Sequence, residues 1–311
     1  MNFALILLGG MALDLAFGWP DRLYSCVGHP VTWLGRAISA LERRLNTGTP
    51  RRRRTSGVVT VLLIVLISAG PASALQLALP EGWTGILIGS VLVWPLIAVR
   101  SMHEHVAAVA RPLATGDLAA ARHAVSMIVG RNPEHMDSSA VARAATESLA
   151  ENTSDGIVAP LFWGALLGLP GIYAYKAINT MDSMIGHRTD QYEAFGKAAA
   201  RLDDIVNWLP ARLTGLAYAC VSARPMRGVR LMLHDAPKHR SPNAGWPEAA
   251  IAAALDIRLS GPRIYNDRIA QEPWLNAGAG EPRPGDLDRA LSLYRRVMAL
   301  CGLALGMLAL F

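Results

Sequence analysis

At 311 residues, with 52% hydrophobic and only 17% charged residues and a mean hydropathy of +0.26, the chain is too apolar for an ordinary soluble domain and reads as a membrane protein with sizeable polar loops. A net charge of +6 would suit nucleic acid, but aromatic residues are few and the basic ones sit beside apolar segments instead of along a helix face, which weighs against that partner. Cys26, Cys220 and Cys301 have no paired spacing, so neither a disulfide framework nor a thiolate metal site is indicated and each is read as a small buried hydrophobe.

In chain order, the first apolar segment, residues 1–17, lacks the basic flank and cleavage site of a signal peptide and is expected to remain as a membrane helix. Residues 57–79, 83–99 and 297–311 carry the same signal near bilayer-spanning length. The run Arg51-Arg52-Arg53-Arg54, with Arg43 and Arg44, precedes the second segment, so that loop is predicted to be cytoplasmic and the N-terminus outside. Segments two and three form a hairpin through Pro80-Glu81-Gly82, which returns the chain to the cytoplasm at Arg100. The following loop reads as helices, with Asp117 capping a run that ends near Gly130 and Asp137 or Ser138 capping one from Ala140 to Glu151.

Residues 157–174 and 205–221 are apolar but interrupted by Pro160, Pro170 and Pro210, which predicts re-entrant or half-membrane helices. A re-entrant path for the first of these keeps the polar residues on both its flanks on the cytoplasmic side. From Ser222 to Arg296 the chain is polar, basic and rich in Pro and Gly, without strand alternation, and is expected to form short helices and ordered loops. The predicted fold is all-α: a multi-pass membrane protein, one membrane-embedded domain of residues 1–311, with cytoplasmic helical loops at about 18–56, 100–156 and 222–296.

The polar residues beside apolar segments are the candidates for chemistry, because carboxylates and amides are costly there unless they bind something. Arg143, Glu147 and Glu151 are spaced by four and share a helix face, which is a solvated ion pair or part of a site. The helix end, Glu151-Asn152-Thr153-Ser154-Asp155-Gly156, concentrates hard oxygen donors of the kind that suits magnesium with nucleotide phosphates. Lys176, Asn179 and Ser183 share a face with Asp182 adjacent, and a lysine so placed meets a phosphate or carboxylate, or snorkels to the interface. Asp203 and Asn207 lie one turn apart, with Asp204 beside them; an acidic first turn complementing the helix dipole is the plainer alternative. Lys238, Arg240, Ser241 and Asn243 precede a helix predicted to begin near Pro247, an arrangement that would cradle an anion or serve as an ordered loop. The chain has no Gly-Lys-Ser/Thr phosphate loop and no dinucleotide glycine fingerprint, and His103-Glu104-His105 lacks zinc-protease spacing, so those two histidines are read as interface or capping residues.

Five ordered motifs resemble the adenosylcobinamide-phosphate synthase family of cobalamin biosynthesis, a set of multi-pass membrane proteins. They are Gly28-His29-Pro30-Val31 with Trp33-Leu34-Gly35-Arg36; Glu147 to Gly156; Tyr175-Lys176-Ala177-Ile178-Asn179-Thr180-Met181-Asp182; Arg201-Leu202-Asp203-Asp204 with Asn207 to Arg212; and Ser241-Pro242-Asn243-Ala244-Gly245-Trp246-Pro247-Glu248 followed by Gly261-Pro262-Arg263. The chain departs from the pattern at Gly18-Trp19-Pro20-Asp21, where many relatives carry Gly-Asp-Pro, and at His187, where Tyr is frequent; neither Asp21 nor His187 is given a role.

The resemblance implies an ATP-dependent ligase that joins the carboxylate of adenosylcobyric acid to the amine of (R)-1-aminopropan-2-ol phosphate or a close analogue, with ATP and Mg2+ as cofactors, in the bacterial inner membrane. On that basis Glu147, Glu151, Asp155, Lys176 and Asp182 are expected to be catalytic, with Glu151, Asp155 and Asp182 holding magnesium. Lys176, Lys238 and Arg240 are assigned to phosphates, and Asn152, Asn179, Asn207 and Asn243 to corrinoid amides or nucleotide, with His29, Asp203, Asp204, Ser241 and Glu248 as further substrate contacts. Expected partners are the corrinoid and amino-alcohol phosphate substrates, the lipid bilayer and other membrane cobalamin-assembly enzymes. A transporter or membrane sensor is the rival class, because polar groups in broken helices also line transport paths, and a scaffold for assembly enzymes is a third.

Overall fold

A computed structural model describes residues 2–130, 132–265 and 268–311, with only the backbone for 263–265 and 268–270. Met1 of the predicted first segment and the side chain of Arg263 in the last motif therefore lie outside the described residues. The helices in chain order are α1 (Phe3–Phe17), α2 (Asp21–Val27), α3 (Pro30–Leu45), α4 (Pro50–Ala78), α5 (Trp83–Val93), α6 (Val99–Ala114), α7 (Leu118–Ser126), α8 (Ser138–Thr153), α9 (Ala159–Ile185), α10 (Lys197–Val206), α11 (Trp208–Val221), α12 (Pro225–Asp235), α13 (Gly245–Leu255) and α14 (Asp286–Leu308).

The protein is an all-α, multi-pass membrane protein. Pro50–Ala78, Trp83–Ala114, Ser138–Ile185 and Asp286–Leu308 are long and apolar enough to cross a membrane, and Phe3–Phe17 with Asp21–Leu45, bent by 111°, pass the same test as a pair. The expected first loop is thus largely helical, as α2 and α3. The last helix starts at Asp286, eleven residues before the predicted apolar segment, because its first turns are amphipathic and escape a hydropathy reading. Two minimal antiparallel pairs interrupt the expected loop of 222–296: β1 (Leu259–Ser260) with β4 (Trp274–Leu275), and β2 (Arg263–Tyr265) with β3 (Arg268–Ala270). At two or three residues each, they are too short to show alternation in sequence.

Two compact units share the chain. Unit one comprises residues 1–98, 159–207 and 304–311, and unit two residues 99–158 and 208–303. In unit one, α1 packs on α5 and α4 on α9. Gly9 lies against Ser90 and Gly89 against Ile6, so that the first pair meets through small residues, as helices do in lipid, where apolar surface alone gives no drive to associate. Ile38, Val61, Ile64, Ile178, Met181, Ile185 and Phe195 form its buried cluster.

The segment 157–174 contains the unit's sharpest feature. Gly168 leaves the helix at φ 70°, ψ −148°, a region open in practice to glycine alone. A Cβ on Gly171 would strike the Trp163 carbonyl, and one on Gly164 would lie 3.5 Å from Ile172. Eight residues of straight helix would hold such groups about 12 Å apart, so the chain turns back at Gly168. The Leu169 amide donates to Gln76 Oε1 at 2.8 Å, which satisfies a donor that the break exposes.

In unit two, α11, α12 and α13 pack on one another, and α8 packs on α6, α7 and α13. Asp117 and Asp137 cap α7 and α8 by accepting from Ala120 and Ala140, at the predicted positions. The π turn Ser154–Val158 follows α8 directly, where the sequence predicted that the helix would end. The cysteine reading needs correction: Cys26 and Cys220 are exposed and Cys301 is partly buried, all three as free thiols. In a membrane protein a small apolar side chain can face lipid as readily as core.

Candidate active site

In unit one, the second half of α9 carries Tyr175, Lys176, Asn179 and Asp182, and α10 packs against it with Asp203 and Asp204. The Tyr175 hydroxyl donates to Asn207 Oδ1 at 2.9 Å, and Asn207 Nδ2 donates to Asp203 Oδ2 at 3.0 Å. All three residues are buried. This chain leaves Asp203 Oδ1 buried without a well-formed hydrogen bond, with the Asn179 amide close enough to favour its charge. Burial, and then the neighbouring Asp182 charge, push the Asp203 carboxyl up to about 7 against the partial relief from Asn207 and Asn179. The predicted Asn179, Asp182, Asp203 and Asn207 thus form one connected group. Asp204 lies beside Arg201 and Arg188, which oppose the upward shift that burial gives it.

Lys176 lines a cavity of about 290 Å³ with Tyr173, Pro30 and residues of α3 and α4. Its charge reaches His29. His29 itself is a helix cap: its Nδ1 accepts from the Val31 amide at 3.2 Å and its ring meets Trp19 edge-on.

In unit two, Glu147 is buried and its Oε1 accepts from the Ser260 amide at 2.7 Å. Ser260 Oγ lies 3.5 Å from Glu272 Oε2, and Arg240 Nε is 3.6 Å from Glu272 Oε1. Ser260, at φ 61°, holds a conformation unusual for a residue with a side chain. Two predicted residues from distant parts of the sequence, Glu147 and Arg240, are therefore linked through Ser260 and Glu272. Lys238 Nζ lies 2.6 Å from Asp235 Oδ1, whose other oxygen accepts from the Asn276 amide at 2.7 Å. Burial works against the charge of Asp235, yet Lys238, the Asn276 amide and His234 outweigh it and hold the carboxyl below the usual range. Of the three cations expected to bind phosphate, Lys238 and Arg240 thus already face a carboxylate.

Ser241 Oγ accepts from the amides of Asn243 and Ala244 at 3.3 and 3.2 Å, so its hydroxyl shapes the turn into α13. Buried Glu248 lies 3.7 Å from His239 Nε2, and His239 Nδ1 accepts from the Ser241 amide at 3.0 Å. Asn152 Nδ2 folds back onto the Ser148 carbonyl at 2.9 Å. Glu151 is exposed and Asp155 half-buried. Thr153 Oγ1 and the buried Tyr218 hydroxyl are 2.8 Å apart, and burial raises the Tyr218 phenol so that it keeps its proton.

Sequence reasoning assigned no individual role to Tyr175, Asp235, His239, Ser260 or Glu272. Asp235 stood three residues before Lys238, a legible pairing distance on a helix; nothing local marked Ser260 or Glu272.

Among the described residues, no three His, Cys, Asp or Glu side chains gather as a metal cage. Magnesium needs less: one or two carboxylates, with substrate phosphates and water completing its shell. The buried Asp203 oxygen, with the half-buried Asp182 as a neighbouring charge, fits that demand, since two neighbouring carboxylates favour a cation between them.

The sequence comparisons agree with one another. The family described as CobD/Cbib protein matches residues 7–294. The cobalamin biosynthesis protein CobD of Rhodobacter capsulatus is 60% identical over 309 residues, covering 99% of this chain and 98% of the relative. Proteins of the same name from Brucella suis and Sinorhizobium fredii are 45% and 41% identical, covering 96% and 98% of this chain and 95% and 97% of theirs. No solved structure matches. A family match over most of the chain, with relatives aligned nearly end to end, establishes that this protein belongs to the CobD/Cbib family.

Proposed function

We propose that this protein is the ligase that joins the carboxylate of adenosylcobyric acid to the amine of (R)-1-aminopropan-2-ol phosphate, consuming ATP, in the bacterial cytoplasmic membrane. The observation that carries the reading is the Tyr175–Asn207–Asp203 chain beside Asp182, in a chain whose relatives are cobalamin biosynthesis proteins. A carboxylate resists attack by an amine until one oxygen becomes a leaving group, either as an acyl phosphate with release of ADP or as an acyl adenylate with release of pyrophosphate. Magnesium, held by Asp182 and Asp203 or by Glu151 and Asp155, would supply charge neutralisation for the nucleotide phosphates.

The remaining work falls to side chains. The amine arrives as an ammonium and must lose one proton before its lone pair attacks the activated carbonyl carbon. With magnesium at Glu151 and Asp155, the carboxylate of Asp203, whose affinity for protons is raised by burial, suits that transfer. The C–N bond then forms, the C–O bond to phosphate or AMP breaks, the displaced group carries away the electron pair, and the second proton of the nitrogen leaves to that group or to water. Lys176 would meet a phosphate, while Asn179, in the same unit, would hold an amide group of the corrinoid. Lys238 and Arg240 can bind phosphate only by sharing or leaving Asp235 and Glu272.

The test is to incubate the purified protein in lipid with adenosylcobyric acid, aminopropanol phosphate and magnesium ATP, and to identify the products by mass spectrometry. The condensed corrinoid is expected, with ADP or AMP reporting the route of activation. Intact protein that binds the substrates and makes no product would overturn the proposal in favour of transport or scaffolding.

A further inference from the structure

Helix α11 has two unlike faces. Ala211, Thr214, Gly215, Tyr218 and Ala219 are buried, with Gly215 against Met232 and the Trp246 carbonyl. Leu209, Leu213 and Leu216 are 42, 38 and 39% exposed and, at intervals of four and three, form one stripe. At its start Trp208 is exposed, and Arg212 stacks between the rings of Trp208 and Trp246, 4.1 and 4.2 Å from their centroids. Helix α12 repeats the pattern: Gly228, Met232 and Asp235 are buried, while Met226 and Leu233 are 66 and 58% exposed with the exposed Arg230 between them. Arg224 is exposed at the turn between the two helices, and Arg227 is held by Asp256 at 2.5 Å.

Fourteen residues of helix extend about 21 Å, short of the roughly 30 Å of a bilayer core. An apolar stripe on such a helix, with Trp and Arg at its edge, is the pattern of a helix lying in the interface. The exposed arginines decide which interface, because each is drawn toward anionic headgroups.

We propose that the α11–α12 hairpin lies along a membrane leaflet and binds acidic phospholipid, with Leu209, Leu213, Leu216, Met226 and Leu233 among the acyl chains and Arg224 and Arg230 at the phosphates. This lipid site does not depend on the ligase reading.

The test uses the full chain with Cys26, Cys220 and Cys301 replaced by alanine and an environment-sensitive fluorophore attached at position 213 in Leu213→Cys. A second label in Leu216→Cys guards against a local folding fault. The protein is placed in mixed phosphatidylcholine and phosphatidylglycerol vesicles in which one lipid or the other carries brominated chains. Brominated lipid is expected to quench both labels, more strongly when the bromine is on phosphatidylglycerol. Arg224→Gln with Arg230→Gln should reduce that preference by about fivefold per arginine while quenching itself persists. Labels quenched by aqueous iodide and not by brominated lipid would overturn the proposal, as would labels shielded from both, which would mean that protein covers the face. Equal quenching by both brominated lipids would overturn the acidic-lipid assignment.

Discussion

The Tyr175 hydroxyl donates to Asn207 Oδ1 at 2.9 Å and so decides which end of the Asn207 amide faces Asp203. With Oδ1 occupied, Nδ2 turns to Asp203 Oδ2 at 3.0 Å, and the carboxylate is held by one oxygen. Tyr175→Phe removes the donor and leaves Oδ1 buried without a partner, at a cost of about 1–3 kcal/mol. Turnover is expected to fall by about ten- to a hundredfold, as when an outer-shell partner is lost, with detergent-solubilised protein still folded. Unchanged turnover would remove Tyr175 from the site.

Asp203 also sets a pH dependence. Its folded carboxyl lies at about 7, above the roughly 3.9 of an unfolded aspartate, so between these values the folded state binds more proton than the unfolded one. The stability that this group contributes is complete below the unfolded value and declines as pH rises through the folded one. Relative to Asp203→Asn, the native protein should therefore lose thermal stability between about pH 4 and pH 7. Parallel melting midpoints for the two proteins across that range would contradict this account of the carboxyl.

The reversal at Gly168 should be intolerant of a side chain. Its φ of 70° with ψ of −148° would cost alanine about 1–3 kcal/mol, and a Cβ there would also meet the Phe3 ring. Gly168→Ala is expected to lower the melting midpoint in detergent. Gly302→Ala, inside α14, where nothing beyond the chain neighbours and the helix's own backbone lies within 4 Å of the added carbon, should be neutral or stabilising by up to about 1 kcal/mol. Equal effects at the two positions would argue against a built turn.

Asp155 stands half-buried in the π turn after α8, where π turns often mark functional positions. Asp155→Asn keeps its size and removes its charge, and should abolish formation of the condensed corrinoid while leaving the protein folded. Near-normal product formation would take Asp155 out of the chemistry.

By itself, the amino-acid sequence determined the membrane class, the caps at Asp117 and Asp137, the polar blocks that hold the candidate residues, and the family. These rest on local signals: hydropathy over one helix length, short oxygen-bearing side chains at helix starts, and motifs of a few adjacent residues. The Asp203–Asn207 bond was legible for the same reason, since four residues make one helical turn. The tertiary structure alone decided which oxygen of Asp203 is held, that Glu147 and Arg240 are linked through Ser260 and Glu272, and that Lys238 faces Asp235. It also placed the turn at Gly168, between the two prolines that marked the segment as broken, because the φ and ψ of one glycine leave no trace in composition. Contacts among residues 147, 240, 260 and 272 depend on how helices and loops far apart in the chain pack, and no local pattern encodes that distance.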